Sequence, residues 1–546
     1  MEGLEDRKLL TTFTVTTRLD GPDVEGSLRQ AVEIANATPN TVGEPDVIEF
    51  ADNVKGTIKL TEGELAITDD LTIDGPSSGK ITISGNNASR IFNISGAETD
   101  VTIDDLKLVR GFAEDAGGAI LHTGQSLSVT NVEFKHNQVV GNDDVLLPGN
   151  GAAGGAIAIL SPNLELEFRP TATIKDSRFS QNDAFGTNGG AFGGAFGGAI
   201  SNQGKLTIKS STLTHNGAFG GSDNNNDNQA PNAFKFVGLA FGGAVNNNNG
   251  GTLIMDDCVV THNQAVAGDR NTGGSATFVG DAGGAGIENI FYSTGEIRNS
   301  TIAHNTVVAG DEATTEGDID GGHAGGGGIG NRFFATLTVE NSAITHNRVV
   351  GGDRSSGGTG TGGGIQNYLS KLTVYDSDIS YNSASGGQDA IGADAGGAYG
   401  GGIQNYLLST LTLENSRLTN NRVTGGSLAD GNGAAAGGGG LNNDSANAEI
   451  IDSVFSDNRV TGGKGAVGRN GEGGGIRNFN ALLTFSGEQS VVKRNHARGG
   501  SGSTTNGEGL GGGIYNAASV LATTVPDVFA NHASDDGDDL FGLVFP

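Results

Sequence analysis

Apolar and polar residues alternate in short segments along most of the chain. Segments 337–339 and 372–374, both Leu-Thr-Val, are typical examples, because each places two apolar side chains on one face and a polar side chain on the other. A period of two residues predicts a strand with one buried face. Gly and Asx residues, which favour corners, stand between these segments. The pattern therefore predicts many short strands and very little helix.

The predicted strands belong to a sequence repeat of 34 to 47 residues. Each copy is marked by an Asn that has an apolar residue three positions before it and Val or Ala two positions after it. Repetition at this period indicates a solenoid in which each copy forms one coil. The eleven markers, called the ladder asparagines below, are Asn137, Asn182, Asn216, Asn263, Asn305, Asn347, Asn382, Asn421, Asn458, Asn495 and Asn531.

Two further columns of residues recur in the same frame. A Gly-Gly-Ala or Gly-Gly-Gly block closed by an aliphatic residue precedes each ladder asparagine, and nine of the eleven copies carry another Asn two residues after that aliphatic residue. Asp or Asn occurs six residues before the ladder position in eight copies, as at Asp176 and Asn341. These side chains tolerate left-handed backbone, so this column predicts a corner. Stacked coils would let the Asn amides hydrogen-bond along the axis as a ladder.

The repeat resembles a known class of surface protein. Its Gly-Gly-Ala-Ile blocks and Phe-x-x-Asn segments, literal at 134–137, 179–182 and 455–458, resemble those of right-handed β-helix surface proteins such as the chlamydial polymorphic outer-membrane proteins. This resemblance covers about residues 112–535. It implies an all-β, single-stranded, right-handed parallel β-helix with long Gly-rich loops on one side. Adhesins, passenger domains and polysaccharide-degrading enzymes share such repeats, so the resemblance does not choose a function.

The N-terminal residues differ from the repeats. Residues 27–36 have the apolar face of an amphipathic helix, which would cap the first coil. We therefore predict an N-terminal segment at 1–55, a β-helix at 56–535 that is irregular to about residue 111, and an apolar tail at 536–546. Residues 4–10, Leu-Glu-Asp-Arg-Lys-Leu-Leu, resemble a stretch near the start of planctomycete-type surface proteins, and this resemblance implies a bacterial extracellular or cell-surface location.

Charge and composition limit the kinds of partner that the chain can bind. The chain has 62 acidic against 32 basic residues and a formal net charge of −30. We found no basic stripe, so we expect no nucleic-acid partner. No apolar run reaches the roughly 18 residues that a transmembrane helix needs. Lone Cys258 takes a position that Ser fills in eight other copies, and we interpret it as a packing residue.

Carboxylates recur at one loop corner of three consecutive coils. Asp269, Asp311 and Asp353 each follow a ladder asparagine by six residues. Hard cations prefer clustered oxygen ligands, so one interpretation is a Ca²⁺ site formed by these residues with Glu312, Asp318 and Asp320. The alternative, which we favour, is a corner neutralised by Arg270 and Arg354, with no cofactor required.

Two clusters of ring-bearing residues allow similar alternatives. His215, His262, His304 and His346 immediately precede ladder asparagines in successive coils, and we favour an exposed stack over a metal site. Phe residues between 185 and 241 are concentrated in the second to fourth loops, where a small core beneath the loops is favoured over an exposed patch. The chain has no Trp, and Tyr368 and Tyr406 form the only aligned Tyr pair, so we expect the aromatic platform usual for sugar binding to be poorly supplied.

These patterns favour a non-enzymatic function. The columns expected to face outward carry one charge at a time, and none concentrates two or three carboxylates at one level as acid–base chemistry needs. We therefore predict an extracellular or cell-surface structural or adhesive protein that binds other copies of itself, an extracellular polysaccharide or a cell-surface ligand. The alternative is a polysaccharide lyase or glycoside hydrolase whose site is built from loops, with Asp311, Asp318 and Asp320 as the first candidates.

The apolar tail allows two outcomes. It can fold back as a lid on the last coil, or it can dock on the next molecule and build a head-to-tail fibre. The residues concerned are Leu540, Phe541, Leu543, Val544 and Phe545.

Overall fold

The chain forms a parallel β-helix, as predicted. The computed structural model describes residues 11–38, 40, 45–77, 79–141, 151–161, 168–226, 235–273, 277–315, 321–355, 357–389, 395–522 and 525–542. Strands pair in parallel with the equivalent strand one coil further on, for example Leu337 with Leu372 and Val339 with Val374. Equivalent side chains therefore lie above one another along the axis. Among the described residues, no helix has the length and apolarity needed to cross a bilayer.

Helix α1, Leu28–Ala37, covers the N-terminal end of the β-helix close to the predicted position. Ser27 caps it, since its hydroxyl accepts a hydrogen bond from the backbone N–H of Gln30 at 3.1 Å. Leu28 and Val32 are buried in the main core. Strands Thr12–Val15 and Asp46–Phe50 already pair in the first sheet, so sheet pairing begins inside the segment that we assigned to residues 1–55.

Four sheets run along the β-helix, and the chain visits them in the order I, II, III and IV. Sheet I receives two strands from most coils. Its first strands are Leu65–Ile67, Phe92–Ile94, Ile120–His122, Ile157–Ile159, Ile200–Asn202, Val245–Asn247, Ile287–Ile290, Ile329–Arg332, Ile365–Tyr368, Ile403–Tyr406, Leu441–Asp444 and Leu540–Phe541. Its second strands are Thr12–Val15, Asp46–Phe50, Leu71–Asp74, Asp100–Asp104, Ser126–Thr130, Thr171–Lys175, Lys205–Lys209, Thr252–Asp256, Thr294–Arg298, Thr336–Glu340, Lys371–Tyr375, Thr410–Glu414 and Asn447–Ile451, whereas Ile476–Ser486 and Ile514–Ala522 span both positions.

Sheets II and III flank the ladder asparagines. Sheet II, which precedes them, consists of Thr57–Lys59, Ile81–Ser84, Leu106–Val109, Glu133–Lys135, Arg178–Ser180, Thr212–Thr214, Val259–Thr261, Thr301–Ala303, Ala343–Thr345, Asp378–Ser380, Arg417–Thr419, Val454–Ser456, Val491–Lys493 and Asp527–Phe529. Sheet III, which follows them, consists of Phe112–Glu114, Gln138–Val140, Asp183–Phe185, Gly217–Phe219, Gln264–Val266, Thr306–Val308, Arg348–Val350, Ser383–Ser385, Arg422–Thr424, Arg459–Thr461, His496–Arg498 and His532–Ala533.

Sheet IV contains two-residue strands that lead into the next coil. They are Ala152–Ala153, Ala195–Phe196, Ala240–Phe241, Ala282–Gly283, Ala324–Gly325, Gly360–Thr361, Ala398–Tyr399, Ala436–Gly437, Gly471–Glu472 and Gly509–Leu510. The loops between sheets III and IV form three small parallel sheets of their own. Their strands are Lys235–Val237 with Thr277–Val279, Thr272–Gly273 with Thr314–Thr315, and Leu428–Asn432 with Gly465–Val467 and Gly502–Thr505.

The corners follow from backbone conformations that the Asx column predicts. Asn131, Asp176 and Asn341 have φ of 53°, 51° and 43°, in the left-handed region. The residue immediately before each ladder asparagine is also left-handed, from His136 (φ 54°) to Ala530 (φ 56°), so the histidine column lies at a second corner. The 14 strands of sheet II, at about 4.8 Å per coil, make a rod on the order of 65 Å long.

The core is a narrow column of aliphatic and aromatic side chains. Phe134 and Phe179 stack at 4.5 Å between ring centroids in adjacent coils. A second cluster beneath the loops contains Phe196 and Phe241, with Phe236 partly buried against it, in agreement with the small core that we favoured. Cys258 is buried, and burial raises the pKa of its thiol to about 11, which suits a packing residue.

Candidate functional site

The ladder asparagines form one continuous hydrogen-bonded column. The Oδ1 atom of Asn305 accepts from the backbone N–H and the Nδ2 of Asn263, at 2.9 and 3.0 Å. Its own Nδ2 donates to the carbonyl of Val260 and to Oδ1 of Asn347, both at 3.0 Å. Each buried amide thus uses its full hydrogen-bonding capacity, which holds the corner of every coil to the next.

Both ends of this column have a specific partner. At the N-terminal end the backbone N–H of Gly111, which stands at the ladder position of its coil, donates to Asn137 Oδ1 at 2.8 Å. At the C-terminal end the N–H and Nδ2 of Asn531 donate to Oδ1 of Asp539, at 3.0 and 2.9 Å. A carboxylate accepts but has no N–H to donate onward, so Asp539 terminates the column.

A second ladder runs parallel to the first along sheet I. It is formed by the nine asparagines that follow the aliphatic anchors, whose Nδ2 atoms donate to the next Oδ1 at 2.7 to 2.9 Å. Its members are Asn202, Asn247, Asn289, Asn331, Asn367, Asn405, Asn443, Asn478 and Asn516. Each coil is therefore fixed at two points of its circumference.

The acidic corner that we considered for Ca²⁺ is also a ladder. Asp269 Oδ1 accepts from the N–H of Asp311 at 3.0 Å, and Asp311 Oδ1 accepts from the N–H of Asp353 at 2.8 Å. Glu312 instead pairs with Arg354 at 2.8 Å. Burial, together with the neighbouring Asp353 and Asp269, raises the pKa of Asp311.

Of the two arginines expected to neutralise this corner, Arg354 pairs with one of its carboxylates and Arg270 pairs with a residue one coil earlier. Arg270 binds Asp223 at 2.7 Å, while Arg354 binds Glu312. Asp318 and Asp320 lie outside the described residues. Within the described part of the chain no group of three or more His, Cys, Asp or Glu side chains could hold a metal ion. The Ca²⁺ site stays a prediction.

The histidine column is an exposed stack of rings. Centroid distances are 5.0 Å from His215 to His262, 5.0 Å from His262 to His304 and 4.9 Å from His304 to His346. Tyr381 continues the stack at 4.9 Å from His346. Burial and the two neighbouring imidazoles lower the pKa of His304, so protonation of the stack is opposed by its own geometry.

The column after the aliphatic anchors does not face solvent, contrary to our expectation. Ser201, Asn246 and Glu288 of this column are 0% exposed. Arg332, which lies two residues beyond the column position of the next coil, is 7% exposed. Arg332 Nε donates to Glu288 Oε1 at 2.6 Å, and the guanidinium lies 4.3 Å from the centroid of the Phe241 ring. The prediction was wrong because the concave corner between sheets IV and I folds these side chains against one another.

Glycines make room for this buried pair. A Cβ added at Gly330 would lie 2.0 Å from Glu288 Oε2, and one at Gly283 would lie 1.8 Å from Arg332 Nη2. Both of these side-chain atoms lack a hydrogen-bond partner among the described residues. Burial raises the pKa of Glu288, and Arg332 opposes that shift. A similar arrangement recurs at Arg477, which bonds to Glu472 at 2.8 Å and lies beside Gly437.

Exposed aromatic rings line the turn that joins the two strands of sheet I. Phe291 stacks on Phe333 at 5.3 Å, and Tyr292 stacks on Phe334 at 5.2 Å. Tyr292 is 69% exposed and Phe334 is 58% exposed. We call the following residues the aromatic ridge: Phe291, Tyr292, Phe333, Phe334, Tyr368 and Tyr406.

The sequence analysis recognised only the Tyr368 and Tyr406 part of this ridge. Their rings stack at 5.6 Å, and Tyr368 meets Phe333 edge to face at 5.2 Å. The missed signal is the recurrence of aromatic residues three to five positions after the aliphatic anchors Ile287, Ile329 and Ile365.

The start of the apolar tail continues the β-helix and adds one more strand to sheet I. Leu540 and Phe541 pair in parallel with Ile514 and Tyr515, and the rings of Phe541 and Tyr515 stack at 5.2 Å. Leu543, Val544 and Phe545 lie outside the described residues. The last coil is rich in acidic residues, and their like charges oppose the stacking of this end on the same end of a second molecule. Its acidic residues are Asp527, Asp535, Asp536, Asp538 and Asp539. Head-to-tail association stays a prediction.

Asp183, in sheet III, gives a testable pH effect. Burial raises the pKa of its carboxyl to about 6, against an opposing hydrogen bond from the N–H of Gly217. Because this pKa exceeds the ordinary value of 3.8, the folded state binds the proton more tightly. Stability from this group is present at low pH and is lost as the pH rises through about 6. Because Asn does not ionise, we expect the Asp183→Asn protein to avoid this loss and to be about 2 kcal/mol more stable than the unchanged protein above that pH.

The measurement for Asp183 is thermal unfolding at pH 4 and pH 7.5. The Asp183→Asn protein should gain stability relative to the unchanged protein only at the higher pH. Asp378→Asn, an exposed position in sheet II, provides the control and should alter neither value. An equal effect of Asp183→Asn at both pH values would contradict this account.

Comparisons with known proteins give only distant similarity. No family model matches the chain, and no curated protein matches it. Among solved structures the chain is similar to the alginate lyase AlyF-OU02 in complex with G6, with 11% identity and a TM-score of 0.27 over 98% of this chain and 94% of that chain. Tailspike protein 3 of bacteriophage CBA120 gives 9% identity and a TM-score of 0.21, over 93% of this chain and 58% of the tailspike. The A-module of mannuronan C-5 epimerase AlgE6 from Azotobacter vinelandii gives 11% identity and a TM-score of 0.20, over 88% of this chain and 93% of that module.

Proposed function

We propose that this protein is a non-enzymatic extracellular or cell-surface rod with a structural and adhesive role. The observation that carries the proposal is the pair of amide ladders, one through the ladder asparagines and one through sheet I. Two hydrogen-bonded columns fix each coil against rotation and sliding. Side chains exposed on such a rod keep a constant spacing of about 4.8 Å, which suits a surface that binds a long or repetitive partner.

The aromatic ridge is the adhesive surface in this proposal. Tyr292 and Phe334 are largely exposed and stack on each other, next to the stacked pair Phe291 and Phe333. Apolar ring faces stack on the C–H faces of sugars, and Tyr hydroxyls add hydrogen bonds. An extended extracellular polysaccharide is the partner that fits a row of rings repeated at the coil spacing.

The proposal predicts binding without turnover. Incubated with a panel of neutral and acidic polysaccharides, the protein should release no reducing ends and no unsaturated products, while it co-sediments with the polysaccharide it binds. Tyr292→Ala combined with Phe334→Ala should weaken that binding about tenfold, the loss of two ring contacts of about 0.7 kcal/mol each.

The matched control is Phe529→Ala, which removes an exposed ring 47% accessible to solvent and outside the ridge. It should bind as the unchanged protein does. Release of oligosaccharides by the purified protein would defeat the non-enzymatic proposal, whatever the binding results.

One observation favours the alternative, a polysaccharide lyase or glycoside hydrolase. Glu288, Arg332 and Tyr368 lie near one another at the concave corner, and burial raises the pKa of both Glu288 and Tyr368. A carboxyl with a raised pKa can act as a general acid near neutral pH. If turnover is found, Glu288→Gln should abolish it while leaving binding to the ridge intact.

A further inference from the structure

The exposed face of sheet III carries a column of basic residues that the acidic composition of the chain does not indicate. The residue after each ladder asparagine points outward, and strand pairing places these residues directly above one another from Arg348 to His532. Three of the six positions in this part of the column are Arg and two are His, and the sixth is Ser383. We call the following residues the cationic stripe: Arg348, Arg422, Arg459, His496 and His532.

The strands that carry this stripe lack acidic residues, although Asp538 from the last coil lies 3.1 Å from His532. The last nine strands of sheet III, from Gly217–Phe219 to His532–Ala533, contain no Asp or Glu. The whole chain has 62 acidic and only 32 basic residues. The stripe is therefore a surface whose sign is opposite to that of the rod as a whole, and its local field favours anions.

Arg422 and Arg459 are neighbours without a compensating acid. They pair directly across adjacent coils, where like charges are destabilising. Both are exposed, and neither forms an ion pair with any described residue. The one side-chain bond of Arg422 is a 3.4 Å contact from Nε to Thr424 Oγ1. Two guanidinium groups are thus held side by side with most of their N–H donors unused.

Arg494, nearby, shows what a compensated arginine looks like in this fold. Its Nε and Nη2 bind the two carboxylate oxygens of Asp457 at 2.9 and 2.7 Å. That bond lowers the pKa of Asp457 and satisfies its charge. Arg422 and Arg459 have the same fork-shaped donors but no such carboxylate, so their donors are available to an anion from outside the chain.

A cleft at this place has the right form to receive it. Arg422, Arg459 and His496 line a cleft of about 310 Å³ together with Tyr381, Asn420 and the paired Asp457 and Arg494. The arginines offer bidentate donors, the Asn amide and Tyr hydroxyl offer neutral ones, and the Tyr381 ring is 54% exposed. Burial, Arg459 and His532 lower the pKa of His496, whereas Asp457 raises it.

We propose that the cationic stripe binds an acidic polysaccharide, with the glycan chain lying along the rod axis and its carboxylates on Arg422 and Arg459. The inference rests on the proposed function, because it adds to the aromatic ridge a second binding surface, on sheet III, and names the class of polysaccharide that this surface takes. Guanidinium and carboxylate match as planar forks. Successive positions of the stripe are separated by about 4.8 Å, close to the advance of one sugar in an extended chain.

The shape of the charged surface favours a single glycan chain over a nucleic acid. The stripe is one side chain wide, and the rod around it carries a net charge of −30. A duplex is wide enough to lie over the neighbouring acidic faces and to be repelled by them. A single glycan strand contacts the stripe alone.

The experiment compares two double variants of the full chain. The first variant combines Arg422→Ser with Arg459→Ser. Ser is chosen because the same column of sheet III already contains a serine, Ser383. Lys205→Ser with Lys209→Ser removes the same charge from exposed positions of sheet I. Polygalacturonate binding in low salt should fall about 100-fold in the first variant, the loss of two charge-assisted contacts, and less than twofold in the second.

Further titrations test whether the stripe binds other anions or a neutral polysaccharide. A neutral glucan, inorganic sulfate and a DNA duplex are titrated in parallel, and thermal unfolding checks that both variants are folded. Selective loss of polygalacturonate binding in the stripe variant supports the proposal. Equal binding by both variants, binding of sulfate but not of polygalacturonate, or tighter binding of DNA would each overturn it. Turnover of the polysaccharide would defeat the proposed function instead, and it is detected separately as released product.

Discussion

Replacing Asn263 with Ala should lower the free energy of local unfolding of the central coils by about 3–5 kcal/mol. Asn263 is 0% exposed, and its Oδ1 accepts from both the backbone N–H and the Nδ2 of Asn216, each at 2.9 Å. Its Nδ2 donates to the carbonyl of Leu213 and to Asn305, both at 3.0 Å. The substitution leaves several buried polar groups without partners, at about 1–3 kcal/mol each.

The neighbouring residue provides a matched control for Asn263. Gln264 is exposed on sheet III, and Gln264→Ala should change stability little. Hydrogen exchange measured coil by coil is the appropriate assay, because a solenoid opens locally and not as one unit. Exchange should accelerate in the coils of Asn216, Asn263 and Asn305 only. Equal protection in the two variants would mean that the ladder contributes nothing to the stability of the rod.

Replacing Arg332 with Met should destabilise its coil by about 3–5 kcal/mol at neutral pH. The substitution removes the ion-pair partner of Glu288, whose side chain is 0% exposed, and it leaves a buried carboxylate uncompensated. Burial raises the pKa of Glu288, and without Arg332 nothing opposes that shift. The folded state then favours the protonated carboxyl, so the defect is small at acidic pH and grows as the pH rises above the ordinary value of 4.5.

Urea unfolding of the Arg332→Met protein at pH 5 and pH 8 tests this dependence. A double variant, Glu288→Met with Arg332→Met, should recover most of the lost stability at pH 8, since an apolar pair needs no compensation. Arg270→Met, which breaks the fully exposed pair with Asp223, should have no measurable effect. A pH-independent defect in Arg332→Met would indicate lost packing against Phe241 instead of an unpaired charge.

The stacking of the coils could be predicted from the sequence because each signal recurs in register. The ladder asparagines, the Asx corners and the aliphatic anchors recur once per coil, and eleven copies leave little doubt about which residues lie above one another. Ser27 and the apolar face of residues 28–35 similarly predicted the capping helix. These features depend on local chemistry and on the period alone.

The direction of individual side chains could not be predicted as well, because it depends on the shape of the coil in cross-section. The direction of the Glu288 side chain follows from the concave corner between sheets IV and I, and the repeat pattern does not specify that angle. Arg422 and Arg459 are 37 residues apart and leave no trace as a charge run. Their proximity is recognised only when the residues that follow successive ladder asparagines are aligned with one another.

The first ladder also has a direction, and that direction bears on synthesis. In every ladder step, donors on one coil point toward an acceptor on the coil that follows it in sequence, as from Asn263 to Asn305. The last folded coil of a growing chain therefore presents unsatisfied N–H groups to the chain still emerging from the ribosome. Each newly made coil supplies the acceptor for those groups and so folds onto the coil before it. Folding would proceed vectorially from the helix-capped end, and the carboxylate of Asp539 offers no further donor to continue it.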